Sequence, residues 1–501
     1  MHFDVNLSGK ILDPIHGTIM ITDIERQVIS HPLFQRLRSV KQNSFLYKVF
    51  PSSQHSRFEH SLGVMHVAYQ MYRHLVINSY RYDSKYNDKL LFTQIEKISF
   101  ARVQELRLAA LLHDIGHGPM SHQFDSFLLS ATQLKDALGP EFSDIYSLID
   151  DSKGVEHEHI SLIFIKKIFS DLQVNIEVDN IIKLIESSFK GGVINDVIGD
   201  EQYDIQPLFT SLISSCPIDS DRMDYLLRDS YFSGVKCGIY NIERIMMSIV
   251  PVVKGKQVYL AYKESGLDSI SEFIFSRSSL FSQVYYHKTN RAFSSMLTKV
   301  CNKLTAKSDD DHLFAAMYQF KSGHFANNLR SLERFYLDNS DEFFIKHTLS
   351  QLIKRDPKAK DIIDNILYRA PWKKLYEAKA YQPNCTVHSQ VNKGFVTQLK
   401  DDFSQYLTQY IDKEDFFIDV MSDNSLKDLD KTKVKLLTKT ANSDYECHDI
   451  ALCGEKLDQY QSVRYFIRVY VNPVVCDPSV IEAVNKLDVI KQTLVSRYAL
   501  R

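Results

Sequence analysis

Cysteine is sparse and unpatterned in this sequence. The seven thiols, Cys216, Cys237, Cys301, Cys385, Cys447, Cys453 and Cys476, are odd in number and contain no CxxC pair. That argues against a cysteine-ligated zinc site or a disulfide framework and fits reduced thiols in a cytoplasmic protein. No uninterrupted apolar run approaches the ~20 residues that span a bilayer. The opening MHFDVNLSGKILDPIHG has no basic segment followed by an apolar one, so no secretory signal is expected. An excess of one charge is missing too: 60 Lys and Arg against 62 Asp and Glu leave −2. No global field therefore points to nucleic acid or an anionic membrane, although a local basic pocket is compatible with this balance. Internal repeats and low-complexity tracts are absent. What is there is an ordinary soluble composition, 44% hydrophobic and 24% charged over 501 residues, and a length that suggests several domains.

Helical periodicity dominates the first 300 residues. From His60 onward, Val64, Val67, Ala68, Met71 and Leu75 recur on one apolar face. Leu106, Ala109, Ala110, His113 and Asp114 keep the same period in a helix predicted over Val103–His117, which Gly116 and Gly118-Pro119 end. A third helix is predicted from Asp219 to Ser230. Ile249–Tyr262, with Lys254-Gly255-Lys256 at its centre, reads as a β-hairpin. Beyond about residue 305 the character shifts. Helices continue to Leu367, Arg369-Ala370-Pro371-Trp372 punctuates the chain, and charged runs at Asp309-Asp310-Asp311 and Lys427–Lys435 mark loops. Ser462–Val471 is a β-branched and aromatic strand, and Pro478–Lys486 reads as a helix start. The expected fold is mainly α: a helical core over 1–305 carrying a small β-hairpin, then a C-terminal α+β lobe over 306–501.

The most informative peptide is Leu111-Leu112-His113-Asp114-Ile115-Gly116-His117-Gly118. Imidazole and carboxylate are costly to bury unless paired or ligated, yet the apolar face before them carries both inward. Together they suit a borderline or hard divalent ion. Two residues do not close a metal site. His60, in Arg57-Phe58-Glu59-His60-Ser61, and Asp221, in Asp219-Ser220-Asp221-Arg222-Met223-Asp224-Tyr225, complete an H…HD…D set. Two His and two Asp leave positions for water or a phosphate, as a catalytic metal requires. Each piece alone has a plainer reading, since HD dipeptides arise by chance and a buried His is usually a hydrogen-bonded core residue. The ordered set is what is specific.

These peptides resemble the HD-domain deoxynucleoside triphosphate (dNTP) triphosphohydrolases, the family of dGTPase-type enzymes and the animal SAM-and-HD-domain restriction factor. The matching stretches are Asp13-Pro14-Ile15-His16-Gly17, Phe34-Gln35-Arg36-Leu37-Arg38 with Lys41-Gln42, Ser56–Gly63, LLHDIGHGPMSH at 111–122, DSDRMDYLLRD at 219–229 and Tyr285-Tyr286-His287-Lys288. The likeness is dense over about 10–300. Beyond that it rests on Tyr368-Arg369, Trp372-Lys373 and the RYFIRVYV strand. With the first motif at Asp13, no SAM domain is expected before the core. The resemblance implies an HD-domain helical core that binds Mn, Mg, Fe or Zn through His60, His113, Asp114 and Asp221. It implies attack of water on the α-phosphate of a dNTP, releasing deoxynucleoside and intact triphosphate. His117, His122 and His157 are the implied catalytic histidines, with His122 and His157 beside the scissile phosphate. Arg57, Arg222 and Arg277 match phosphate contacts. Gln42, Tyr225 and Asp229 match sugar contacts, with Tyr285 counted beside them. Residues 221, 225 and 229 share one helical face, and a tyrosine under the sugar's 2′ carbon would exclude ribonucleotides. Plainer readings exist here as well: Glu156-His157-Glu158-His159 as an exposed helix start, Tyr225 as core filler.

Many relatives are oligomers, tetramers among them, switched on by nucleotides bound between subunits. The resemblance therefore implies a homo-oligomer, tetramer or dimer, and a regulatory lobe in the C-terminal half. A nucleotide activator is implied as well, its phosphates held at Arg38, Arg244, Lys288, Arg369 and Lys373. Ser30 stands where the animal relative has an acidic residue that reads guanine, and Leu12 is its neighbouring contact, which points to another base preference or another ligand. Asn43 replaces an apolar residue beside Gln42. Two further readings keep the same scaffold: an HD-type nucleotide phosphodiesterase or 5′-nucleotidase, and a non-catalytic nucleotide sensor. The peptides at 219–229 and 285–288 favour the triphosphohydrolase over the former. The acid histidines, which a sensor does not need, favour it over the latter.

Overall fold

Capping residues set where the principal helices begin. Ser56 and Glu59 form a capping box that starts the 25-residue helix Arg57–Arg81, which is buried along most of its length and runs through the centre of the protein. Asp219 accepts from the Arg222 backbone N–H and starts the helix Ser220–Ser233, which Gly234 ends in a left-handed conformation. The computed structural model describes residues 2–86, 90–150, 154–307, 317–354, 356–383, 390–424, 426, 429–440, 445–451 and 463–501. Cys385, Cys453, Ser462, the acidic run at 309–311 and part of the charged segment 427–435 lie outside them.

Two glycines determine how closely the central helices approach. A Cβ on Gly63 would lie 1.9 Å from Asp224 Oδ1 and 2.5 Å from Arg228 Nη2. Arg57–Arg81 and Ser220–Ser233 thus meet at this distance only because residue 63 has no side chain. Likewise, a Cβ on Gly116 would meet the His157 carbonyl at 2.1 Å and Ser161 N at 2.3 Å, so Gly116 admits the start of the helix His157–Leu172. The helix predicted over Val103–His117 spans Phe100–Leu112 instead. Tertiary bonds replace its last turn: Arg36 donates to the carbonyls of Ile115 and His117, and Gly116 N donates to Ser161 Oγ at 2.8 Å. Asp114 therefore sits in a turn rather than on a helix.

The predicted hairpin is present as Ile249–Lys254 and Gln257–Lys263. Its second strand continues into a mixed sheet with Lys435–Lys439 and Tyr445–Asp449 on one side and Glu201–Asp204 and Asn195–Ile198 on the other. A second hairpin, Gly9–Asp13 with Gly17–Ile21, had no sequence signal in its half-exposed strands. Its turn is tied by Asp13 Oδ1, which accepts from Ile15 N and His16 N at 2.9 Å each. The aromatic strand, Val463–Val471, is central in an antiparallel sheet between Lys373–Gln382 and Phe416–Asn424. Phe395, Leu399 and Phe403 of the helix Lys393–Leu407 and Leu487 and Leu494 of Leu487–Arg497 cover it. The fold is mainly α, as expected. The main apolar cluster runs past residue 305 through Leu332, Phe344 and Ile366, so a boundary between units at 305/306 passes through it and stands only as a proposal. Among the described residues no helix is long and apolar enough to cross a membrane.

Candidate active site

Three separate elements bring the metal candidates together. The first turn of Arg57–Arg81 supplies His60, the turn after Leu112 supplies His113 and Asp114, and the first turn of Ser220–Ser233 supplies Asp221. Ligand atoms of His60, His113 and Asp221 lie within 4.8 Å of one another. Asp114 stands beside them, with carboxylate oxygens 3.8 Å from His60 Nε2 and 3.5 Å from His113 Nε2. The Nε2 atoms of both histidines are buried without an aligned hydrogen-bond partner. Their other nitrogens are engaged: His60 Nδ1 with Asp224 Oδ2 at 2.8 Å, His113 Nδ1 with the Ala110 carbonyl at 2.9 Å. Such bonds fix the tautomer that leaves an Nε2 lone pair facing the centre. Orphaned imidazole nitrogens facing clustered carboxylates are a donor set that fits a divalent ion.

Behind His60 lies a polar ring to which the sequence reading assigned no role. Asp224 accepts from Arg228 Nε and Nη2 at 2.9 Å each and pairs with His16 Nε2 at 2.7 Å, while Arg228 Nη1 reaches Asp13 Oδ2 at 2.8 Å. Asp224 and Arg228 are fully buried. Burial would raise the Asp224 carboxyl, but Arg228, His16 and His60 hold it well below the usual range. Asp224 and Arg228 stand one helical turn apart, a local spacing, whereas His16 lies 208 residues from Asp224.

One cavity of about 510 Å³ opens onto this centre. Gln42, Arg57, His113, Asp114, His117, His122, His157, Asp221, Tyr225, Asp229 and Tyr285 all line it. His117 and His157 stack with ring centroids 3.6 Å apart, and the exposed His122 stands edge-on 4.7 Å from His117. Asp125, also missed in sequence, lies 3.5 Å from both His122 Nδ1 and His157 Nδ1. Burial, then Arg57 and His157, push His117 well below the ordinary histidine value. Burial opposes protonation of His157 as well, but Asp125 and Glu158 outweigh it and raise that imidazole. The two stacked rings are therefore pushed in opposite directions, His117 toward the neutral form and His157 toward the protonated one. His157, far from an exposed helix start, is buried.

Elsewhere in the lining Asp229 accepts from Asn43 Nδ2 at 2.9 Å and from the Tyr285 hydroxyl, and pairs with His55 Nε2 at 2.5 Å. Gln42 Oε1 is buried with no hydrogen-bond partner. Arg57 donates to Ser121 Oγ at 2.8 Å and to Asp114. Two expected phosphate contacts sit differently. Arg222 is tied to Asp219, the residue that caps its own helix, and neither Arg222 nor Arg277 is among the cavity-lining residues. Arg277 lies against Phe281 at 4.6 Å, with Nε and Nη1 buried and unmet. The five activator candidates also stand away from the lining. Arg38 covers Phe58 at 3.5 Å, and Arg369 donates to the Lys48 carbonyl at 2.9 Å. Arg244 is exposed on Ile242–Ser248, Lys288 opens the helix Lys288–Lys307, and Lys373 opens its strand.

Residues 57–229 match the HD domain family model. The chain is 32% identical over 304 residues to the uncharacterized protein YwfO of Bacillus subtilis, covering 60% of this chain and 57% of that protein. It is 31% identical over 299 residues to the deoxynucleoside triphosphate triphosphohydrolase SAMHD1 homolog of Dictyostelium discoideum, covering 58% and 48%. With the uncharacterized protein MG461 of Mycoplasma genitalium it shares 28% over 352 residues, covering 69% of each. The chain thus spans between 48% and 57% of the length of the first two of these relatives. A hypothetical protein from Aquifex aeolicus has a similar fold, with a TM-score of 0.61 at 21% identity over 96% of this chain and 99% of that one. The histidine and aspartate cluster lies inside the segment 57–229 that matches the HD domain model.

Proposed function

We propose that this chain cleaves a deoxynucleoside triphosphate to deoxynucleoside and intact triphosphate, using a divalent metal held by His60, His113, Asp114 and Asp221. The observation that carries this reading is a single cavity lined by His113, Asp114 and Asp221 of the metal cluster, by His117, His122 and His157, and by Tyr225, Asp229 and Tyr285. When bound, a divalent ion supplies Lewis-acid polarisation of a phosphoryl oxygen and lowers the pKa of a coordinated water. Asp224 orients His60 from behind, and Arg57 braces Asp114. His157, whose protonated form Asp125 and Glu158 favour against burial, delivers a proton to the leaving 5′ oxygen. His117, neutral and stacked on it, restricts that ring to one face, and the exposed His122 admits substrate beside them. Arg57 meets phosphate directly, while Arg222 and Arg277 act from behind Tyr225, the latter with two unmet donors. Gln42, Asp229 and Tyr285 hold the sugar, and the Tyr225 ring excludes a 2′ hydroxyl.

The relatives named as dNTP triphosphohydrolases, from Dictyostelium, zebrafish and chicken, support the substrate class. Nucleotide activation through Arg38, Arg244, Lys288, Arg369 and Lys373 in a homo-oligomer belongs to the same proposal, as does a regulatory role for the C-terminal lobe. The test incubates the chain with each dNTP and NTP, singly and in pairs, with manganese or magnesium, beside an Asp114→Ala variant. Deoxynucleoside plus triphosphate, lost in the variant, is the expected result. Pyrophosphate or free phosphate would replace this reading with a phosphodiesterase or nucleotidase, and no product under any pairing would leave a nucleotide sensor.

A further inference from the structure

The turn that lines the cavity between His117 and His122 is held by a residue far along the chain. Met120 and Ser121 are consecutive non-glycine residues with φ of 66° and 51°. Left-handed backbone of this kind persists only where the surroundings over-determine it. Here they do. Asp341, at the start of the short helix Asp341–Phe343, accepts from Met120 N at 2.6 Å with Oδ1 and from Lys41 N at 2.8 Å with Oδ2. Ser44 Oγ donates to the Met120 carbonyl at 2.5 Å, and Ser121 Oγ donates to the Lys41 carbonyl at 2.7 Å. Ser121 Oγ also accepts from Arg57 Nε at 2.8 Å, and Arg57 Nη1 bonds Asp114.

We propose that Asp341 is a positioning residue that fixes the Met120–Ser121 turn and, through Ser121 and Arg57, the carboxylate of Asp114. Asp341 lies outside the matched HD segment 57–229, so part of the metal centre's geometry is set by the C-terminal half of the chain. Both oxygens of the carboxylate are needed, one for each amide. Its charged and titratable neighbours are Lys41 and Arg57, Tyr47 on the turn Leu46–Lys48, and Glu342 on its own helix. Burial lifts the Asp341 carboxyl to about 6 against the pull of the two amides. A carboxylate kept where ionisation is unfavourable is better explained by positioning than by stability.

Asp341→Asn separates these roles. An amide offers one acceptor and turns its NH2 toward the other backbone N–H, so either Lys41 or Met120 is released while the buried charge disappears. The inference rests on the metal-centre reading for its last link only, so the experiment has two arms that need no substrate. In the first, hydrogen exchange on the full metal-free chain should show the amides around 41 and 120 exchanging at least tenfold faster in D341N. The exposed neighbour variant Glu342→Gln should leave them unchanged, and D341N should melt within a few degrees of wild type. In the second, Mn(II) titration should show roughly tenfold weaker binding in D341N and in Ser121→Ala, as for other outer-shell positions, with no further loss in the double variant. Unchanged amides in D341N would overturn the clamp. Faster exchange spread over the whole chain with a large fall in melting temperature would reduce Asp341 to a structural role and overturn the proposal. Released amides with unaltered Mn(II) affinity would overturn the relay to Asp114. A wild-type chain that binds no Mn(II) would overturn the metal-centre reading and that last link together, while the exchange arm still decides the clamp.

Discussion

Gly63→Ala should destabilise this protein although the substitution is made in the middle of a helix. In a helix interior, alanine ordinarily gains about 1 kcal/mol over glycine. At residue 63 the new Cβ would lie 1.9 Å from Asp224 Oδ1 and 2.5 Å from Arg228 Nη2, whereas ordinary contact begins at 3.4 Å. The Asp224 carboxylate must withdraw by more than an ångström. It is not free to do so, because it holds His60 Nδ1 at 2.8 Å, His16 Nε2 at 2.7 Å and both Arg228 nitrogens at 2.9 Å. Losing two charge-assisted bonds costs about 3–6 kcal/mol, which leaves about 2–5 kcal/mol of destabilisation after the helix gain. That is a large part of the roughly 5–15 kcal/mol that stabilises a typical domain. Urea denaturation of wild type, G63A and Gly394→Ala measures it. Gly394 is an exposed helical position whose Cβ would approach nothing closer than 3.4 Å, so G394A should shift stability by no more than about 1 kcal/mol. Mn(II) affinity should fall in G63A because His60 loses its orienting partner. G63A that is as stable as wild type and binds Mn(II) equally well would refute the close-approach reasoning.

Three further outcomes are expected. His157→Gln should lower kcat by about 10²–10⁴ with little change in KM; a change confined to KM would remove the proton-donor role. Tyr225→Ala should improve hydrolysis of ribonucleotides relative to deoxynucleotides by up to about 10², and unchanged competition between dATP and ATP would reduce Tyr225 to core filling. The Asp341 carboxyl is raised from 3.8 to about 6 in the folded chain, so the fold binds its proton more tightly than the unfolded chain does. Its favourable contribution is complete below pH 3.8 and lost as pH rises through about 6. Wild type should therefore lose at most about 3 kcal/mol relative to D341N between pH 4 and 7.5, read by denaturant titration; a pH-independent difference would contradict the shift.

Much of the helical architecture was legible because helical periodicity is a property of residues three and four apart. The apolar face from Val64 to Leu75 and the helix read from Asp219 rest on local signals, and the helices begin within a few residues of where those signals stand. The H…HD…D set could be nominated because each residue sits in a short peptide of recognisable chemistry. Helix ends were less legible. Phe100–Leu112 stops before His113 because Arg36 and Ser161 supply competing bonds, and neither is a neighbour in sequence.

The sequence by itself determined that the chain is mainly helical and which four residues to nominate for a metal. Only the tertiary structure decided how those residues are held. His16 and Asp13 reach Asp224 and Arg228 across more than 200 residues, His55 reaches Asp229, and Asp341 reaches Lys41 and Met120. It also set Arg222 and Arg277 outside the cavity lining and stacked His117 on His157. The reason is physical: caps and helical faces are fixed within one or two turns, whereas a carboxylate's partners and an imidazole's burial depend on which distant segments the packed core brings beside them.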